Sequence, residues 1–199
     1  MANGGNIATR VVGSPLGELL LAATDRGVRA LRFPPHEMRA ADAASGKPVQ
    51  GSHAVLDWLE REVREYFAGR LRRFTVPIDQ EGTEFQRRSW NELCRIEFGE
   101  VITYAELAKR VGSANGFRAV GAANGANRVA VIVPCHRVVA SDGTLGGYGG
   151  ELWRKRWLLE HERRVAGLPP LDLFEMKMPG ERAVGAPVES ANESSSPLR

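Results

Sequence analysis

The run Val129-Ala130-Val131-Ile132-Val133-Pro134-Cys135-His136-Arg137-Val138-Val139 constrains this chain more than any other stretch. Its apolar, β-branched residues predict a buried strand, and Pro134 stops it, so that Cys135 and His136 sit where a strand gives way to a turn. A thiol is a nucleophile only as the thiolate. An adjacent imidazole and a cationic neighbour, here His136 and Arg137, are surroundings that lower a cysteine pKa. An isolated Cys-His pair is more often a structural cysteine beside a surface histidine, so the rest of the chain has to decide.

A chain of 199 residues, 43% of them hydrophobic, can build one domain or two small ones with real cores. No stretch is long and apolar enough to span a membrane, and Met1-Ala2-Asn3-Gly4-Gly5 lacks the charged-then-apolar order of a secretory signal. The expectation is a reducing, cytoplasmic setting and no membrane partner. Cys94 and Cys135 are the only cysteines, too few for a disulfide framework or a four-cysteine zinc site, and no metal is expected. Cys94 lies in a helical pattern and reads as passive. A net charge of +3 mildly favours an anionic partner without establishing one.

From Ile7 to Phe33 the pattern is an antiparallel meander, broken at Ser14-Pro15-Leu16-Gly17 and at Asp25-Arg26-Gly27. Pro34 to Ser52 reads as a loop with a short helix near Met38 to Ala44. Val55, Leu56, Leu59, Val63, Tyr66 and Phe67 share one face of a helix that should cover the meander and stop at Gly69. Arg73 to Ile78 predicts a further strand, and the polar Asp79-Gln80-Glu81-Gly82 a boundary between domains at 1–81 and 82–168, with a tail at 169–199. Ser, Glu and Pro residues from about Glu181 predict a largely disordered end.

Thr83-Glu84-Phe85-Gln86 is a capping-box pattern opening a helix to about Arg95, with Trp90 most simply core. Thr103-Tyr104-Ala105-Glu106 opens a second helix to Val111, and a third runs from Phe117 to about Ala126. Two short helices joined through Gly112 and Gly116 have the form of a helix-turn-helix. The second helix, with Ala119, Gly121, Ala122, Ala123 and Gly125, has few of the long polar side chains that read base edges. So slight a helix suits tight packing or entry into a minor groove.

Pro134-Cys135-His136-Arg137-Val138, followed by Ser141-Asp142-Gly143-Thr144-Leu145-Gly146-Gly147-Tyr148 and Trp157-Leu158-Leu159-Glu160-His161-Glu162, closely resembles the O6-alkylguanine-DNA alkyltransferase family. The resemblance runs from about Gly82 to Glu162, and more loosely over the meander. It implies an α/β fold: a small N-terminal ribonuclease-H-like α/β domain, then a mostly α-helical domain carrying the helix-turn-helix. It implies a monomer that repairs double-stranded DNA carrying O6-alkylguanine, and O4-alkylthymine less readily, in one turnover and without a cofactor. Cys135 would accept the alkyl group, His136 the thiol proton through a water, and Glu162 would orient the imidazole. Tyr104 would protonate the departing base. Arg118 would fill the gap left by the flipped nucleotide, with Ala119 and Ala122 beside it on the DNA-facing helix. Asn127 would tie that helix to the active-site turn, while Gly146, Gly147, Tyr148 and Gly149 line the base pocket. Arg137 would steady the turn and add charge near thiol and substrate.

The chain departs from the family pattern at Glu97, Ala114 and Arg128, where proline is frequent. Gly149-Gly150 replaces a bulkier Arg-Trp pair, which implies a more open pocket rim. Three rivals remain: a non-catalytic sensor of alkylated bases, a Cys-His-Glu hydrolase, and a helix-turn-helix regulator. The presence of Cys135 weighs against the first, Arg118 and the helix-turn-helix against the second, and the thin second helix against the third.

Overall fold

The meander forms as the alternation dictates: β1 (Ile7–Ser14), β2 (Gly17–Thr24) and β3 (Gly27–Arg32) pair antiparallel in sequence. Ser14 closes the first turn, its hydroxyl donating to the Gly17 carbonyl at 2.6 Å and accepting from the Leu16 amide at 3.1 Å. The computed structural model describes residues 7–33, 52–171 and, as backbone, 46–48. The helix expected near Met38 and the tail beyond Leu171 lie outside the described residues. A short β4 (Gly46–Pro48) adds to β1 in parallel, giving the order β3-β2-β1-β4. It falls in the segment that reads as a loop, because Gly-Lys-Pro carries no alternation and only its distant partner makes it a strand.

Helix α1 (Ala54–Phe67) packs on the sheet and buries Val55, Leu56, Leu59, Val63 and Tyr66. Burial of each such side chain contributes roughly 1.5–3 kcal/mol. The strand expected over Arg73 to Ile78 is reduced to one bridge, Ile78 to Val28. The buried Glu62 carboxylate takes the donors a ladder would have used: the Thr75 amide at 2.9 Å and the Val76 amide at 3.1 Å, with Thr75's hydroxyl as well.

The helical half begins with α2 (Glu84–Leu93), whose capping box is complete: the Thr83 hydroxyl accepts from the Gln86 amide and Gln86 Oε1 accepts from the Thr83 amide. Trp90 is core, its indole donating to the Ala123 carbonyl at 2.9 Å. β5 (Ile102–Thr103) leads straight into α3 (Tyr104–Arg110), and Gly112 turns the chain toward α4 (Phe117–Gly125), which packs on α2 and α3. After the cysteine segment, β6 (Val138–Val139) pairs in parallel with β5, and α5 (Leu152–Ala166) closes the structure.

Two connections place the site. Leu31 of β3 donates to the Arg128 carbonyl at 2.9 Å and accepts from the Ala130 amide at 3.0 Å, so the N-terminal sheet holds the segment that carries the cysteine. The β5–β6 pair aligns Ile102 with Val138, which brings the start of α3 beside the end of that same segment. One hydrophobic core runs through both halves, from Leu19 and Leu31 to Val129, Val138 and Leu158. Among the described residues no helix is long and apolar enough to cross a membrane.

Candidate active site

The run before the cysteine is buried as expected, but it is not a strand. Val129 makes a single bridge to Leu31, and the chain then coils through Val131, whose φ of +71° is a left-handed conformation that a β-branched residue rarely adopts. The Ile132 amide bonds back to the Ala130 carbonyl at 2.8 Å and the Cys135 amide to the Val133 carbonyl at 2.8 Å, two tight three-residue turns in succession. Strain at Val131 costs of order 1–3 kcal/mol, and the surrounding bonds offset it. Asn127 supplies three of them. Its Nδ2 donates to the Val133 carbonyl at 2.8 Å and to Cys135 Sγ at 3.1 Å, and its Oδ1 accepts from the Val129 amide at 3.0 Å. Asn124, one turn earlier on α4, donates to the Cys135 carbonyl at 3.2 Å.

Cys135, His136 and Arg137 make one 3₁₀ turn. His136 and Glu162 are fully buried, with His136 Nε2 3.0 Å from Glu162 Oε1. Glu162 also accepts from Arg137 Nε and Nη2, both at 2.8 Å, from the Tyr66 hydroxyl at 2.8 Å and from the Gly99 amide at 3.1 Å. Burial alone would raise the Glu162 carboxyl, but His136 and Arg137 outweigh it and hold the group well below the usual carboxylate range. An ionised carboxylate accepts only, so Nε2 carries the hydrogen and Nδ1 is left as a bare acceptor with no partner among the described residues. Gly99 at φ +84° lets its amide reach the carboxylate, and a Cβ there would stand 3.1 Å from Leu168 and 3.2 Å from Ala166.

Arg137 corrects two expectations. It is buried, turned away from thiol and substrate side, with Nη1 on the Ile96 carbonyl at 2.6 Å and its guanidinium over the Phe98 ring. Nor do the surroundings lower the Cys135 thiol on balance. Burial pushes its thiol up, against the opposing Asn127 bond and the charge of Lys155. Burial likewise pushes His136 down, with Glu162 opposing, so the imidazole rests neutral and able to take a proton.

Tyr104, the first residue of α3, is half-buried, with its hydroxyl 3.4 Å from the Gly147 carbonyl. Gly146 (φ +65°) packs under it; a Cβ there would come within 3.0 Å of the ring. Burial raises the Tyr104 hydroxyl. A cleft of about 1270 Å³ is lined by Cys135, Tyr104, Tyr148 and Gly149, and Arg118 and Ala122 stand where it meets the exposed side of α4. Ala119 is exposed on that helix outside the cleft lining. The rim is narrower than Gly149-Gly150 implies: Phe33, from the end of β3, and Tyr148 both lie 2.8 Å from where a Gly150 Cβ would be, so only Gly149 leaves open space. Among the described residues no group of three metal-ligating side chains occurs.

The model of the 6-O-methylguanine DNA methyltransferase ribonuclease-like domain matches residues 7–80, and that of the DNA binding domain of the same proteins matches residues 84–164. The chain belongs to the 6-O-methylguanine DNA methyltransferase family. A methylated-DNA–protein-cysteine methyltransferase of Mycolicibacterium paratuberculosis is 42% identical over 79% of this chain and 93% of its own length, and one of Methanosarcina barkeri is 38% identical over 76% and 94%. The crystal structure of Mycobacterium tuberculosis OGT in complex with DNA aligns with a TM-score of 0.73 at 40% identity, covering 84% of this chain and 99% of that one.

Three residues within this family member's site escape a reading of the sequence. Tyr66 reads as one more apolar position of α1, Asn124 as part of a small-residue helix, and Lys155 as one of the charges in Arg154-Lys155-Arg156. Lys155 is fully buried, its Nζ donating to the carbonyls of Val138, at 2.6 Å, and of Leu145. Only a search for hydroxyl, amide or ammonium groups at buried helical positions would single them out.

The buried histidines set a pH dependence. His136 and His161 are both pushed down chiefly by burial. Below about pH 6.5 the unfolded chain therefore binds protons that the folded one refuses, and stability falls as the pH drops. The unfolding free energy from urea denaturation between pH 7.5 and 5 should decline, by at most about 1.4 kcal/mol per pH unit for each histidine. A flat profile would mean that neither histidine is held neutral.

Proposed function

We propose that the protein removes alkyl groups from O6 of guanine in double-stranded DNA, as a monomer, by transferring one of them to Cys135 Sγ. The observation that carries this reading is the bare Nδ1 of His136, whose other nitrogen is fixed by Glu162, in the turn that delivers Cys135 to an open cleft. The thiol proton passes to Nδ1 through a water. Sγ then attacks the alkyl carbon, the bond from that carbon to O6 breaks, and the electron pair left on the purine is neutralised by a proton from Tyr104. The imidazolium returns the proton to Tyr104. The products are a thioether and guanine, and because a thioether C–S bond has no easy reverse step each molecule acts once.

Reaching O6 requires the nucleotide to leave the stack. The exposed side of α4 carries Arg118 with Ala119, Ala122 and Gly125, which lets the helix backbone approach a minor groove while the arginine occupies the vacated place. The relative from M. tuberculosis, crystallised with DNA, supports DNA as the partner. The test is mass spectrometry after mixing the protein with a duplex holding one O6-methylguanine. One methyl group per protein on the peptide containing Cys135, and none in Cys135→Ser, is expected. Tight binding without transfer would replace this reading by a lesion sensor.

A further inference from the structure

Tyr66 belongs to α1, in the ribonuclease-like domain, yet its hydroxyl ends 2.8 Å from Glu162 Oε1, the oxygen that also holds His136. The same residue grips α5 a second time. His161 Nε2 donates to the Tyr66 backbone carbonyl at 3.0 Å, so two consecutive residues of α5 are held by one tyrosine 95 and 96 positions away. The ring itself cannot shift. It is fully buried among Phe67, Phe74 and Phe98, with centroids 5.3, 5.4 and 6.1 Å away.

We infer that Tyr66 is a positioning residue of the transfer step: its hydroxyl fixes and partly neutralises Glu162, so that His136 keeps one tautomer and remains a free base. The inference rests on the reading of Cys135 and His136 given above. Glu162 is shared among Tyr66, Arg137, Gly99 and His136, and each extra donor weakens its pull on the Nε2 hydrogen. A carboxylate bound by His136 alone would favour the imidazolium before any thiol proton arrived. Other charges near the pair are accounted for. Arg137 and Lys155 oppose a positive His136; His161 and Tyr148 face Tyr66; on α1 itself Glu62 is turned to Thr75 and Glu65 to Arg70.

The domain that holds no reacting group thus supplies part of the catalytic arrangement. The link is made by side chains at the C-terminal end of α1, Tyr66 to His161 and Glu162 and Phe67 to Trp157.

The test is Tyr66→Phe in the full chain, which keeps the ring and removes only the hydroxyl. Two rates are followed against pH: transfer from O6-methylguanine duplex, and alkylation of Cys135 by iodoacetamide, scored on its own peptide apart from Cys94. Transfer at neutral pH should slow about tenfold with duplex affinity unchanged, and the acid limb of both profiles should move up by about half a pH unit. Phe74→Leu, in the same ring cluster without a polar contact to Glu162, should lower the melting temperature and leave the limbs in place. Profiles of Tyr66→Phe that superpose on those of the unaltered protein would overturn the inference. If the unaltered protein takes no methyl group from DNA while the iodoacetamide limb still moves, the proposed substrate falls and the role of Tyr66 stands.

Discussion

Glu162→Gln is expected to abolish alkyl transfer and to cost about 3–5 kcal/mol of stability, the usual result of removing one partner from a buried ion pair. The amide has nearly the carboxylate's shape but offers one acceptor oxygen in place of two. Its NH₂ faces the Arg137 guanidinium in either orientation, donor against donor: Nε beside the Gly99 amide on one side, Nη2 beside His136 Nε2 on the other. Arg137 keeps its charge and loses its counter-ion while still buried. His136 loses the acceptor that fixes its Nε2 hydrogen, so Nδ1 is no longer reliably the bare nitrogen. Stability is read from urea denaturation and transfer from methylated-duplex assays. Glu160→Gln is the control on the same helix. Glu160 is half-exposed and, among the described residues, paired with Arg156, so its loss should change stability by less than about 0.5 kcal/mol. A cost at Glu162 as small as that would show that the Arg137–Glu162 pair does not hold the turn together. The carboxyl lies so far below its unfolded value that its contribution is present at all pH values above the ordinary carboxylate range. Acid sensitivity near pH 6 therefore belongs to the histidines.

The grouping of Cys135, His136 and Glu162 is legible in the sequence because the motif is intact: Pro134-Cys135-His136-Arg137 and a glutamate at the end of Trp157-Leu158-Leu159-Glu160-His161-Glu162. The helices were legible too, since Thr83 and Thr103 mark their starts and Gly112 an end with local chemistry that needs no distant partner. What failed depended on side-chain partners that composition and periodicity do not reveal. Val129 to Val133 has the composition of a strand, but Asn127 and Leu31 take its polar groups and force Val131 into a left-handed turn. Arg73 to Ile78 lost its ladder to the Glu62 carboxylate for the same kind of reason. Arg137 was read by its neighbour in the chain, the thiol, when its partner is Glu162, 25 residues later. Helical periodicity places Tyr66 in the core correctly and says nothing of where its hydroxyl ends.

Lys155→Met should leave the protein folded and slow transfer by more than tenfold. One ammonium joins three parts of the site: α5 that carries it, the Val138 carbonyl just after the cysteine turn, and the Leu145 carbonyl at the start of the pocket loop. Methionine fills similar volume but donates nothing, so two buried carbonyls lose a partner, at roughly 1–3 kcal/mol each. Against this, a fully enclosed charge no longer has to be desolvated, and the two effects largely cancel in stability. They do not cancel in function. Gly146, Gly147 and Tyr148 follow Leu145 directly, so a loosened loop misplaces the wall on which Tyr104 rests. The thiol also loses the cation that opposes its burial, and its titration should move further up. A linkage signature separates this account from simple loop damage. Burial brings Lys155 down from 10.5 to about 8, so between those values the unfolded chain binds a proton that the folded one has released. Stability of the unaltered protein should accordingly rise across that window, by about 3 kcal/mol if no other group intervenes, and Lys155→Met should lack the rise. Normal transfer and an unmoved thiol titration in the variant would remove Lys155 from the site.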